Sequence, residues 1–178
     1  ADAKEALEKM NEYVENCTTK KWLNEIQDWK EEHPLTMRQG APLGPLDVFG
    51  EINRQFDTAI IVTDVGQHQM LTSQYVEITE KKQLIMSGGL GTMGYGFPGG
   101  IGAQIGNPDK PVIVISGDGG MQMNIQEFAT AVLEELPVII CVFNNEYLGM
   151  VRQWQKLFYG KRYSMTNLKY GALYRRSE

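Results

Sequence analysis

The sequence predicts an α/β fold: three α/β/α layers around a mostly parallel central sheet. Three observations lead there. Short apolar runs rich in Val and Ile recur along residues 58–143, uniform rather than alternating, as in strands covered on both faces. Segments of helical period lie between them, the alternation that builds parallel sheets. Each run ends in a polar cluster rich in Gly, Asn or Gln, and such sheets bind ligands outside the carboxyl ends of their strands.

In chain order, residues 1–32 are rich in Glu and Lys, without Gly or Pro, and read as helical. Trp22, Ile26 and Trp29 share one helical face, a stripe expected to pack on a neighbour. Residues 33–45, with three prolines and two glycines, read as a linker. Leu46, Phe49, Ile52, Asn53 and Phe56 mark a short amphipathic helix. Strands are expected at 58–63 (TAIIVT), 83–86, 111–116 (PVIVIS) and 137–143 (PVIICVF), and helices at 97–105 and 124–135. In the second helix Ile125, Phe128, Ala129, Val132 and Leu133 form the expected buried face. Residues 146–159 have helical character and large side chains that could cap a site, and the basic stretch 160–178 carries no clear strand. The domain organisation read from this is residues 1–45 as a helical tail plus linker and 46–178 as the α/β domain.

Composition narrows the function classes. Over 178 residues the formal net charge is −5, which argues against a nucleic-acid binder. No apolar run approaches the roughly 18 residues of a membrane span, and the start lacks a signal-peptide pattern, so no membrane partner and a cytoplasmic setting are expected. Cys17 and Cys141 make no disulfide framework, and Cys141 reads as core. Most of the 19 glycines fall within residues 88–120, where backbone must turn sharply or approach something closely.

Three constellations could carry chemistry. Gly117-Asp118-Gly119-Gly120 follows one strand, and Asn144-Asn145 ends the next, with 24 residues between Gly119 and Asn144, the length of a helix plus a strand. A right-handed crossover sets two such strand ends side by side. Asp118 and Asn145 would then offer a carboxylate and an amide oxygen, hard ligands suited to Mg²⁺, which takes its remaining ligands from phosphate and water. Glycine amides at a helix N-terminus would receive the phosphates. The plainer reading is a pair of turns, since Asp-Gly and Asn-Asn are common turn dipeptides. Within residues 87–102, Gly89-Leu90-Gly91-Thr92-Met93-Gly94 is a formal G-x-G-x-x-G after a strand, a dinucleotide fingerprint for which Asp118 could be claimed as acidic partner. Close packing of backbone against a planar ring accounts for these glycines equally well. Lastly, Gly66-Gln67-His68-Gln69-Met70 places one of two histidines between glutamines at the first strand's end, either a solvated loop or a polar ligand contact.

These residues carry a resemblance. GDG followed by NN resembles the thiamine-diphosphate motif. TDVGQHQM, SGGLGTMGYGFPGGIGAQ, GDGGMQMNIQEF and NNEYLGMVRQWQKLFYGKRYS together resemble the catalytic subunit of the acetolactate synthase (acetohydroxyacid synthase) family over about residues 45–166. The implied fold is the family's thiamine-diphosphate-binding domain. The implied activity is decarboxylation of pyruvate and transfer of the hydroxyethyl group to a second 2-ketoacid, pyruvate or 2-ketobutyrate, an early step towards branched-chain amino acids. Another thiamine-diphosphate decarboxylase or carboligase, such as a glyoxylate carboligase or pyruvate oxidase, is the nearest alternative; a nicotinamide-dinucleotide domain is a more distant one.

By position, the resemblance implies that Asp118, Asn145 and the backbone oxygen of Tyr147 hold Mg²⁺. Gln67, His68 and the amides of Gly119 and Gly120, after Gly117, contact the diphosphate. Met93 supports the bent cofactor, Gly91 and Thr92 lie beside its aminopyrimidine, and Leu148, Gly149 and Met150 complete the cofactor site. Met150, Val151 and Trp154 line the substrate entrance, with Met93 and Trp154 nearest the chemistry. The family's members are about three times longer. They carry FAD in a middle domain and take an activating glutamate from a pyrimidine-binding domain; neither domain is matched here. The chain is therefore expected to be a diphosphate-binding domain truncated at both ends, inactive alone. Its parent would be a homodimer or tetramer, with a regulatory small subunit in some members. From residue 168 the string LKYGALYRRSE departs from the family pattern.

Overall fold

A computed structural model of the chain describes residues 2–15, 18–34 and 43–169. Cys17, most of the expected linker and the end of the basic tail lie outside them. The chain divides into two compact units, residues 1–40 and 41–178. In the first unit, α1 (Ala3–Asn11) is capped by Asp2, whose carboxylate accepts from the Lys4 and Glu5 amides, and α2 (Lys20–Glu32) follows. Trp22 and Trp29 pack edge to face on each other, centroids 5.7 Å apart, and both stay about half exposed.

In the second unit, helix α3 (Pro45–Gln55) opens on the proline that the linker was expected to end on, because proline's fixed φ suits a first helical position. Then come β1 (Ala59–Thr63), α4 (Gln67–Tyr75), β2 (Lys82–Met86), α5 (Gly96–Gly106), β3 (Val112–Gly117), α6 (Asp118–Met123), a 3₁₀ turn at Ile125–Glu127, α7 (Phe128–Leu133), β4 (Ile139–Phe143) and α8 (Gly149–Phe158). The four strands are parallel in the order β2-β1-β3-β4. From β1 the chain first turns to β2 and then returns to β3 on the other side, so the switch point lies between the carboxyl ends of β1 and β3.

Both faces of the two central strands are covered, which explains their uniform apolar runs. Ala59, Ile61, Ile113 and Ile115 pack with Phe49 and Ile52 of α3, and with Leu71 and Tyr75 of α4. Ile60, Val62, Val112 and Val114 pack on the opposite face with Ala103 of α5. The edge strand β4 is less covered than expected, with Val142 46% exposed.

Two helical expectations are corrected. Residues 67–75 form a helix where a strand-end loop was read; QHQMLTSQY has no apolar period to announce it. The helix expected over 124–135 is broken. The Asn124 side chain donates to the Gly94 carbonyl at 2.7 Å, and its backbone leaves the helical region there. The α7 face expected to be buried is largely outward, with Val132 75% and Leu133 80% exposed. Packing instead runs through Ala131 and the Phe128 ring, 4.7 Å from Phe97 of α5.

Candidate functional site

A cavity of about 640 Å³ opens at the carboxyl ends of the strands, where the switch point predicts a ligand. Its size is that of a small-molecule site. Its walls bring together, from four segments of the chain, most of the residues singled out in the sequence. Gln67 and His68 come from the first turn of α4, Met93 from the glycine-rich loop, Gly117, Asp118, Gly119 and Gly120 from the β3–α6 junction, and Asn145, Tyr147, Leu148, Gly149, Met150 and Val151 from the segment after β4. Gly91 and Thr92 lie on the same loop as Met93 but are exposed and do not line the cavity. Trp154 is outside it too. It lines a second cleft of about 650 Å³ on α8, which shares Met150 and Val151 with the first. Those two side chains stand where the two spaces meet.

Asp118 opens α6 and is half-buried at the cavity wall; among the described residues it has no hydrogen bond or ion pair. Asn144 and Asn145 do form the turns that their dipeptide suggests. Asn144 Oδ1 accepts from the Glu146 amide at 3.1 Å, and Asn145 Oδ1 from the Tyr147 amide at 2.9 Å. The turn and the cavity-lining position coexist in the same residues. Glu146, between Asn145 and Tyr147, has φ +60°, a conformation a non-glycine residue adopts at a cost. The segment is tied down from its far side. Leu148 N–H donates to Thr166, Leu168 N–H donates to Glu146, and the Arg152 guanidinium sits 4.4 and 4.0 Å from the Tyr147 and Tyr163 ring centroids.

His68 lines the cavity with a buried Nε2 that has no hydrogen-bond partner among the described residues. Burial pushes its pKa below the ordinary 6.5, outweighing the upward pull of the Asp64 charge and backbone and of Asp118. Folded His68 therefore binds its proton less tightly than the unfolded chain does. Its contribution to stability is complete above about pH 6.5 and is lost as pH falls through the lower folded value. We expect the urea midpoint of the ligand-free chain to drop between pH 7.5 and 5 and His68→Gln to flatten that slope; parallel slopes would contradict it. Cys141, read as core, is a half-buried wall residue of the cavity whose thiol is pushed up by burial.

Three site residues escaped the sequence reading. Gln153 accepts from Gln67 Nε2 at 2.7 Å, linking α8 to α4. Asn124 holds the Gly94 carbonyl. Asp64, only 1% exposed, accepts from the amides of Val65 at 2.7 Å, Gly94 at 3.0 Å and Gly96 at 2.8 Å. None has a signal in sequence: Asp64 and Asn124 are polar residues at an element's end, and Gln153 is a polar residue inside α8. Asp64 also bears on the dinucleotide reading, because the amides at the start of α5 that a phosphate would need are already taken by a carboxylate.

The fold and this cavity define a class. Residues 64–174 match the family model of the thiamine pyrophosphate enzyme, C-terminal TPP binding domain, and the chain belongs to that family. The match runs past Thr166 into the stretch that was read as departing from the pattern. More particularly, the chain is 44% identical over 172 residues to the acetolactate synthase large subunit of Cyanidium caldarium, covering 94% of this chain and 29% of that protein. It is 41% identical to the probable large subunit of Methanococcus aeolicus, covering 93% and 28%. It is 44% identical to the mitochondrial acetolactate synthase of Schizosaccharomyces pombe, covering 83% and 23%. The chain thus spans under a third of the length of these relatives. Among solved structures, the thiamine diphosphate-dependent 4-hydroxybenzoylformate decarboxylase of Rhodococcus jostii RHA1 superposes with a TM-score of 0.67 at 25% identity, covering 75% of this chain and 25% of that one. Among the described residues no helix is long and apolar enough to cross a membrane.

Proposed function

We propose that this chain supplies the diphosphate- and Mg²⁺-binding half of an acetolactate synthase, acting on pyruvate and a second 2-ketoacid. The observation that carries this reading is the one cavity that joins Asp118, Asn145 and Tyr147 to Gln67 and His68 at the switch point. The donor set fits the group. A free carboxylate and an amide oxygen suit Mg²⁺. His68 Nε2, buried and unpartnered, is an orphaned polar atom that a ligand bound in this cavity would satisfy.

In this reading Asp118, Asn145 and the Tyr147 carbonyl hold the metal, and Gln67, His68, Gly119 and Gly120 receive the diphosphate. Met93 supports the ring system, with Gly91 and Thr92 at its edge. When bound, thiamine diphosphate supplies the electron sink for decarboxylating a 2-ketoacid. The chain's own residues bind and orient it, with the first turn of α8 forming part of the cavity wall. Met150 and Val151 lead from the cavity to the Trp154 cleft, whose apolar wall would favour the extra methylene of 2-ketobutyrate. FAD, partner subunits, a cytoplasmic location and a place in branched-chain amino-acid synthesis belong to the same proposal, for the longer protein that the relatives represent.

Calorimetry tests it. Thiamine diphosphate with Mg²⁺ is expected to bind saturably, while the same titration in EDTA and one with NAD⁺ give no heat. Binding of NAD⁺ alone would overturn the reading. The chain alone is expected to form no acetolactate from pyruvate, because among the described residues no glutamate lines the cavity.

A further inference from the structure

Resting on the thiamine-diphosphate reading, we propose that Asp64 is a positioning residue: its carboxylate sets the loop that carries Met93 against the diphosphate-binding turn. Asp64 follows the last residue of β1 and is buried at the switch point. Its Oδ1 accepts from Gly94 and its Oδ2 from Gly96, two residues 30 and 32 positions along the chain that flank the start of α5. Oδ1 also accepts from Val65. From the other side Asn124 donates to the Gly94 carbonyl. Gly94 is thus held at both its N–H and its C=O. Its φ of +85° suits glycine, and a Cβ there would lie 2.8 Å from the Asn124 amide nitrogen.

The same carboxylate faces the diphosphate side. A Cβ at Gly120 would lie 2.5 Å from Asp64 Oδ1, so the backbone of α6 rests directly on the group that holds the loop. Met93, one residue before Gly94, lines the cavity with Gly119 and Gly120. One immobile side chain therefore sets the distance between the ring-side support and the diphosphate-side turn. No neighbouring residue can take this over, because the amides it holds have no other acceptor in the described structure.

Asp64→Asn tests this. Its Oδ1 can keep two amides, but its Nδ2 meets the Gly96 N–H donor to donor, so one end of the loop is released. Two measurements on the full chain are needed. In the ligand-free chain, amide exchange at Gly96 is expected to speed up by roughly tenfold or more, the scale of losing one hydrogen bond to a charged group, with β1 and β3 amides unchanged. By calorimetry, affinity for thiamine diphosphate with Mg²⁺ is expected to fall by roughly tenfold or more, and that for inorganic diphosphate with Mg²⁺ by less than about threefold. Asn124→Ala, which frees the other side of Gly94, is expected to reproduce the split if the first variant folds poorly. Equal weakening of both ligands, no weakening of either, or faster exchange across the whole sheet would overturn the proposal. If wild type binds inorganic diphosphate but not thiamine diphosphate, the functional reading fails, and with it Asp64's cofactor role. If wild type binds thiamine diphosphate and Asp64→Asn leaves the split unchanged, only the Asp64 proposal fails.

Discussion

Replacing Asp118 with alanine is expected to abolish measurable binding of thiamine diphosphate in the presence of Mg²⁺ while leaving the fold intact. Asp118 is the one charged side chain among the three groups assigned to the metal. Outer partners of metal ligands typically carry 10–100-fold of affinity, so removing a charged ligand itself should cost more than roughly 100-fold. Its cost to the ligand-free protein should be small, within about 0.5 kcal/mol, because the carboxylate has no hydrogen bond or ion pair among the described residues. The pairing of a lost ligand with an unchanged melting temperature is the signature of a ligand-binding rather than a structural carboxylate. Asp118→Asn, which keeps the shape and one oxygen, should fall between. Wild-type affinity in Asp118→Ala would remove the metal assignment, and with it the main support for the cavity as a diphosphate site.

Phe49→Ala should have the largest effect on stability. Phe49 is fully buried under α3, against Ile61 and Ile115 of the central strands, and its ring centroid is 5.5 Å from that of Phe143. Truncating such a residue costs about 3–5 kcal/mol, a large part of the 5–15 kcal/mol by which a domain is stable. At about 2–4 °C per kcal/mol, the melting temperature should fall by roughly 10 °C. Cofactor binding should weaken as well, since α3 and the residues before it contribute Gly44, Pro45 and Val48 to the cavity wall. A melting temperature within about 2 °C of wild type would contradict the packing described here.

Much of this was legible in advance. The runs TAIIVT and PVIVIS could be read as strands because a strand covered on both faces admits only apolar residues, and β-branched ones fit it best. The pairing of Asp118 with Asn145 was legible from spacing, because one helix and one strand consume a predictable length of chain. Elements without an apolar period were not legible. Helix α4, made of QHQMLTSQY, is held by its place at the end of β1 rather than by an amphipathic stripe. For α7 the apolar stripe was real, but the helix was short and broken, so α5 received Phe128 and Ala131 while Val132 and Leu133 stayed outside. Trp154, expected beside Met150 and Val151, lines with them a separate cleft that Tyr159 and Arg162 complete, a placement that only the packing of α8 decides.

The division follows from the interactions themselves. Sequence alone determined the layered α/β class, the ends of the central strands, most of the residues that meet at the strand-end cavity and the family, since each rests on side-chain type at a local period or a fixed spacing. Tertiary structure decided that Asp64 holds Gly94 and Gly96, that Asn124 breaks a helix to reach Gly94, and that Gln153 joins Gln67. Most of these are bonds from a side chain to backbone. Almost every residue offers the same amide and carbonyl, so nothing in the sequence marks which of them a buried carboxylate will meet.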